Sequence, residues 1–212
     1  MKYFKSIYIF VIFFSIHLLS LLCKWNAIAV YTKPLLLLSL ITYFLSNTKF
    51  ITIVFLALVF SLLGDVLLIF QERNSLYFIF GLVAFLIAHI CYIIYFLKIK
   101  KQSGVSKWNL LIILGALVYG VSLVAILFPK LGDMQLPVIV YAATICTMLI
   151  AALHIPINKF FAIGAVLFVI SDSLLAINKF YVPFAWASFL IMLTYGLAQL
   201  FITSGVIKNG KQ

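Results

Sequence analysis

"FSLLGDVLLIF", residues 60–70, sets a carboxylate, Asp65, in the middle of a run that otherwise suits the inside of a lipid bilayer. "FVISDSLLAI", residues 168–177, does the same with Asp172. The chain has four acidic residues, so half of them stand where an ionised group is most costly. The apolar character continues outward from both stretches. Of 212 residues, 67% are hydrophobic and 9% charged, far above the apolar share of a soluble domain, so water is not the solvent for most of this chain. A hydrocarbon core of about 30 Å takes roughly 20 apolar residues per helix, and the polar breaks leave runs of that length. They predict eight transmembrane helices, at about 4–23, 27–46, 50–70, 76–97, 108–128, 135–153, 160–177 and 183–206. The expected fold is all-α: a polytopic membrane helical bundle that takes residues 1–212 as a single integral membrane domain, with connections too short for a second, soluble one.

The net charge of +11 raises the question of nucleic acid, but orientation explains it better, because cytoplasmic loops of membrane proteins collect Lys and Arg. With the N terminus inside, the inner segments hold Lys2, Lys5, Lys49, Lys98, Lys100, Lys101, Lys107, Lys159, Lys208 and Lys211, and the outer ones Lys24, Arg73, Lys130 and Lys179. Ten against four, with Lys33 inside a span, predicts both termini on the cytoplasmic side. The expected home is a bacterial inner membrane, with membrane lipids as neighbours and no nucleic acid partner. The basic loop "KQSGVSK", 101–107, reads first as a topology signal and second as a contact for anionic lipid. The first span has the basic start of a signal peptide but a long apolar run and no small-x-small cleavage site, so it is read as a helix. Cys23, Cys91 and Cys146 fall one per span without paired spacing; they read as packing residues, neither disulfide framework nor metal knuckle.

Two aspartates buried at one depth have a bland reading and a chemical one. In the first, Lys33 neutralises one carboxylate and the other stays neutral and hydrogen-bonded. In the second, unequal surroundings push the pair towards one general acid and one general base. Counting about 1.5 Å per residue from the outer ends of their spans puts Asp65 and Asp172 roughly 10 Å inside the outer boundary, with Lys33 and Tyr141 near that level. His89 lies deeper, as a proton shuttle or a packed, hydrogen-bonded imidazole. His17, His89 and His154 stand on separate helices at different depths without HxxxH or HExxH spacing, so no metal site is expected. Ser171 has no GxSxG setting for a hydrolase triad. Tyr195 and Gln199, four residues apart on one helix face, suit a polar head group or interhelical hydrogen bonds equally.

Laying Asp65 over Asp172 matches "DVLLI" to "DSLLA" and, further on, "AFLIAHICY" to "SFLIMLTY". Lys33 precedes Asp65 by 32 residues and Tyr141 precedes Asp172 by 31. These offsets suggest a 4+4 internal repeat of two parallel halves.

The segments "YTKPLLLL" (31–38), "SLLGDVLLI" (61–69), "FIFGLVAFLIAHICYIIYF" (78–96), "LPVIVYAATICTMLIAAL" (136–153), "GAVLFVISDSLLAINKF" (164–180) and "LTYGLAQLFITSG" (193–205) come in the order, and on the helices, of a known group. In its GD, GxxxFxxxH, SD and YxxxQ elements, over helices 2 to 8, the chain resembles the YhhN-type lysoplasmalogenase family of membrane proteins. The resemblance implies hydrolysis of the vinyl ether bond of lysoplasmalogens, or a related lyso-ether lipid, to a fatty aldehyde and a glycerophospho-ethanolamine or -choline. It also implies a lysophospholipid as substrate partner, no cofactor, Asp65 and Asp172 as the catalytic pair, and Lys33, His89, Tyr141, Ser171, Tyr195 and Gln199 as supporting residues. The first helix carries no mark of the family. The alternative is a proton-coupled transporter or lipid flippase, since carriers also place carboxylates in spans. Carriers often break the site helix with Gly or Pro, whereas Pro34 and Pro137 fall near the starts of their spans and the Asp-bearing helices have no Pro, which favours the enzyme.

Overall fold

The structure, a computed structural model, describes residues 3–104, 107–155 and 158–210, with side chains from residue 7 onward. Lys2, Lys211, the Lys5 side chain, and Val105 and Ser106 of the basic loop lie outside these. Among the described residues eight α-helices follow one another: α1 (Tyr3–Leu22), α2 (Asn26–Asn47), α3 (Thr52–Ile69), α4 (Ser75–Gln102), α5 (Leu110–Leu127), α6 (Gln135–Leu153), α7 (Lys159–Ala176) and α8 (Ala187–Asn209). Two short 3-10 turns, Phe128–Lys130 and Gly132–Met134, link α5 to α6, and a wide π turn, Ile177–Tyr181, closes α7. No strand occurs among the described residues. Seven of the helices are long and apolar enough to cross a membrane, and the described side chains of α1 add a shorter apolar stretch, Ile7–Leu22. The chain is an all-α, polytopic integral membrane protein.

Local chemistry sets the ends. Asn109 and Asn158 cap α5 and α7 by accepting from the N–H groups of Leu111 (2.9 Å) and Phe160 (3.1 Å), which would otherwise lack partners at the first turn. Two boundaries depart from the apolar runs. α4 does not stop at residue 97 but continues to Gln102, because Lys98, Lys100, Lys101 and Gln102 are all good helix formers and cations suit a helix C terminus. Gly104, at φ +70°, follows in the left-handed conformation that ends it. α8 begins at Ala187, four residues later than expected: Pro183 has no N–H to give, and the Phe184 N–H turns back to the Asn178 side chain at 3.3 Å. Pro34 sits inside α2, one residue after Lys33, so the Val30 carbonyl lacks its usual donor four residues on.

The chain divides into two compact units, with the cuts falling inside α4 and α8. Unit 1 comprises residues 1–92 and 203–212. In it α1 packs along α2 and α2 against α3, around Phe10, Leu36, Leu40, Phe44 and Leu58, all fully buried. The α3–α4 contact depends on missing side-chain atoms. A Cβ on Gly64 would lie 2.6 Å from the Phe85 ring, and one on Gly81 would lie 3.0 Å from Leu68. Small residues that let helices approach closely are the means by which membrane helices associate, since lipid supplies no hydrophobic drive between them.

Unit 2 comprises residues 93–202. In it α5 packs along α6 and α6 against α7. Phe161 of α7 meets the rings of Tyr95 and Phe96 at 5.9 and 5.2 Å between centroids. Gly164 lets the α8 backbone come close: a Cβ there would stand 3.0 Å from the Ala198 carbonyl oxygen and 3.0 Å from the Ile202 nitrogen. Cys91 and Cys146 are buried as packing residues, but Cys23 is exposed, because it stands in the turn after α1 and not within a packed face.

Candidate active site

Asp65 is the fourteenth of the eighteen residues of α3 and is 1% exposed. Burying a carboxylate in an apolar helix costs several kcal/mol unless a partner offsets it. That partner comes from the preceding helix: Lys33 Nζ of α2 stands 3.6 Å from Asp65 Oδ1. Lys33 keeps 18% of its side chain accessible, so the ammonium lies at the rim of unit 1 and the carboxylate inside it. Gly64, beside the aspartate, gives the space that the Phe85 ring fills. One turn further along α4, His89, buried, donates from Nδ1 to the Phe85 carbonyl at 2.6 Å. The GD and GxxxFxxxH elements are thus one interlocked contact, with Phe85 the wedge between them.

Asp172 is the fourteenth of the eighteen residues of α7 and is half-buried. Its partner also comes from the preceding helix: the Tyr141 hydroxyl of α6 donates to Asp172 Oδ2 at 2.7 Å. The residues beside it bond to other groups. Ser171 donates to the Ile191 carbonyl of α8 at 3.0 Å, which makes it a tie between two helices. Ser173 gives its proton to the Val169 carbonyl at 2.7 Å, so the Tyr119 hydroxyl, also at 2.7 Å, is the donor in their mutual bond. Tyr195 is buried edge-on against Phe168, with 5.5 Å between ring centres, and Gln199 is fully buried one turn along.

Of the eight predicted site residues, the structure brings together Lys33 with Asp65 and Tyr141 with Asp172. His89 belongs to the support of unit 1; Ser171, Tyr195 and Gln199 lie in unit 2. The sequence reading passed over three polar residues. Tyr119 and Ser173 form a second hydroxyl pair next to Asp172, and Thr32, beside Lys33, bonds to His17 of α1 (Nδ1 to Oγ1, 2.8 Å). A signal existed: a tyrosine or threonine in mid-span needs a partner for its hydroxyl.

Around Asp172 there is space. A cavity of about 40 Å³ is lined by residues of α5, α6 and α7; Asp172, Tyr141, Tyr119 and Ser173 are its polar members, the others being apolar apart from Cys146. A proton donor or acceptor with a small space before it can meet a reacting atom. A carboxylate held by an ammonium can balance positive charge that develops nearby.

Comparison with known proteins follows the same residues. The model of the YhhN family matches residues 28–206, which takes in both aspartates and leaves out all of α1. A lysoplasmalogenase of Mycobacterium bovis is 34% identical over 134 residues, covering 60% of this chain and 50% of that protein. Lysoplasmalogenase TMEM86A of Bos taurus is 33% identical over 168 residues, 74% of this chain and 66% of its own length. Lysoplasmalogenase TMEM86B of Homo sapiens is 36% identical over 153 residues, 72% and 62%. The chain thus spans about half the length of the mycobacterial relatives it matches and less than two thirds to about two thirds of the mammalian ones. No solved structure matches it.

Proposed function

Since the chain belongs to the YhhN family, we propose that it hydrolyses the vinyl ether bond of lysoplasmalogens, or of a closely related one-chain ether lipid, with Asp65 and Asp172 sharing the acid and base work. A vinyl ether resists base and yields to acid. A proton adds to the β-carbon of the double bond, and the electron pair of the ether oxygen stabilises the cation left on the α-carbon. Water then adds to the α-carbon and gives up a proton, and the resulting hemiacetal collapses to a fatty aldehyde and the glycerol hydroxyl. One water is consumed, and the proton delivered is returned. The reaction needs one group that gives a proton to carbon and one negative charge beside the cation, both away from bulk water.

The observation that carries this reading is the difference between the partners of the two carboxyls. Asp65 is held by an ammonium and Asp172 by a neutral phenol. We assign Asp65 as the counter-charge and acceptor of the proton from water, and Asp172 as the proton donor. Similar division of labour between two carboxyls serves glycoside hydrolysis, which also passes through an oxocarbenium-like state. The ten-to-four bias of basic residues supports an orientation with both termini cytoplasmic, in a bacterial inner membrane.

The test is aldehyde release by purified protein in detergent, on vinyl ether lysolipids with ethanolamine and choline head groups. Release on either supports the reading. A carrier needs a sealed compartment and a gradient, so protein that releases no aldehyde in detergent but moves a solute across vesicles would overturn it.

A further inference from the structure

We propose that the groove between α5 and α6 holds the hydrocarbon tail of the substrate, and that Gly120, Val124, Ala142 and Cys146 form a wall common to groove and cavity, past whose edge the base of that tail reaches Asp172. The proposal rests on the ether-hydrolase reading above and adds to it where the lipid lies.

Unit 2 has two spaces of very different size. The cavity at Asp172 measures about 40 Å³, room for a few water-sized groups and not for a lipid tail. The groove on the outer face of α5 and α6 measures about 440 Å³, within the range of small-molecule sites. Its lining is apolar, from Leu117, Val121 and Ala125 on α5 to Ile139, Ala143 and Ile150 on α6. Its single hydroxyl, that of Thr147, is already given to the Ala143 carbonyl at 2.7 Å. Four residues line both spaces, so the two adjoin along a common wall. Residue 120 in that wall is glycine: a Cβ there would stand 2.6 Å from Cys146 Sγ.

The chemistry matches this division. In a vinyl ether lipid the reacting carbons are the first two of the tail, at its junction with the polar glycerol. An enzyme for that bond must hold a long apolar chain in one place and expose only its base to a carboxyl in another. The groove takes the chain, and the cavity takes the ether junction. Along α6 the groove runs from Ile139 to Ile150, which at about 1.5 Å per residue is roughly 16 Å, half of a hydrocarbon core of about 30 Å. That length suits one tail in one leaflet.

Two measurements test the proposal. In the first, KM is followed against tail length for the parent protein and for Val121→Trp and Ala143→Trp, two exposed groove positions outside the wall; Val118→Trp, exposed on α5 and outside the groove, is the control. Tails too short to fill the groove are expected to raise the parent KM, and the two groove variants to lose that dependence while the control keeps it. Unaltered chain-length dependence in both groove variants, with aldehyde still released, overturns the groove and leaves the hydrolase reading standing. The second measurement needs no turnover: an uncleavable alkyl-ether lysolipid with a photoreactive group in mid-tail is cross-linked to the parent protein in vesicles. Label on 117–125 and 139–150, displaced by excess one-chain ether lipid but not by a two-chain phosphatidylcholine, supports the groove. Such label in a protein that releases no aldehyde would keep the tail site and overturn the hydrolase reading. Label elsewhere, or equal displacement by the two-chain lipid, marks an ordinary lipid-facing surface and overturns the groove.

Discussion

Units 1 and 2 each hold one aspartate within a span, and the two are framed alike. Each is the fourteenth residue of an eighteen-residue helix, and each is answered from the helix before it, 32 residues upstream in one case and 31 in the other. The answers differ in kind. Lys33 brings a full positive charge to Asp65, whereas Tyr141 brings a neutral donor to Asp172. An ammonium acts on a carboxylate through its charge and a phenol through one hydrogen bond, so the same scaffold gives two like carboxyls unlike partners. Shared geometry with unequal partners is how two like residues are made to do different work.

The comparison breaks first at the carboxyls. Asp65→Asn and Asp172→Asn keep shape, but neither amide gives a proton to carbon nor takes one from water. Each alone is expected to lower aldehyde release by several orders of magnitude, and the double variant by little more, because groups acting as one unit are not additive. Retained binding of an uncleavable lysolipid shows that the fold survives; a near-full rate in either single variant removes that aspartate from the mechanism.

The next largest effect separates the partners. Lys33→Met takes the cation away from a buried carboxylate, at an expected cost of about 3 kcal/mol, the low end for such pairs because Lys33 is partly accessible. Lys33→Arg should recover most of that loss in thermal unfolding in detergent. Equal stability of the Met and Arg variants would mean that charge is not what Lys33 supplies.

Gly64→Ala tests the support of unit 1. The added methyl meets the Phe85 ring, so overpacking of about 2 kcal/mol is expected, and Phe85→Leu in the same chain should relieve part of it. No relief would place the strain elsewhere. The smallest effect is expected at Tyr141→Phe, which removes one hydrogen bond to Asp172 for about 1 kcal/mol of stability. If the phenol positions the acid, the loss will fall on kcat more than on KM. A stability loss as large as that of Lys33→Met would make the two settings equivalent and dissolve the contrast.

Much of this was legible in the chain. Helix number and most boundaries follow from the length of apolar runs, which the bilayer thickness dictates. The depth of Lys33 and Tyr141 near the two aspartates follows from helix rise, but which carboxyl each one meets is fixed only when α2 packs on α3 and α6 on α7. The end of α4 was not legible from hydropathy, because lysines end an apolar run without ending a helix. Nor was the Tyr119–Ser173 pair, whose 54-residue separation has no period and is fixed only when α5 and α7 pack. Pro34 and Gly64 mark sites where a helix gives up a hydrogen bond or a Cβ, and only the neighbour that fills the gap reveals why.

The helices also differ in reach. α3, which carries Asp65, has eighteen residues and a rise of about 27 Å; α7, which carries Asp172, runs on through its π turn to twenty-three residues, while α4 has twenty-eight and rises about 42 Å. A long post meets a thicker or thinner slab by leaning. A short one cannot lengthen, so the lipid must thin around it, at fractions of a kcal/mol per Å. The slab that best fits α3 is a thin one. Bilayer thickness, set by the acyl chains of lipids that never react, thereby becomes a mechanical load on the depth at which Asp65 is held.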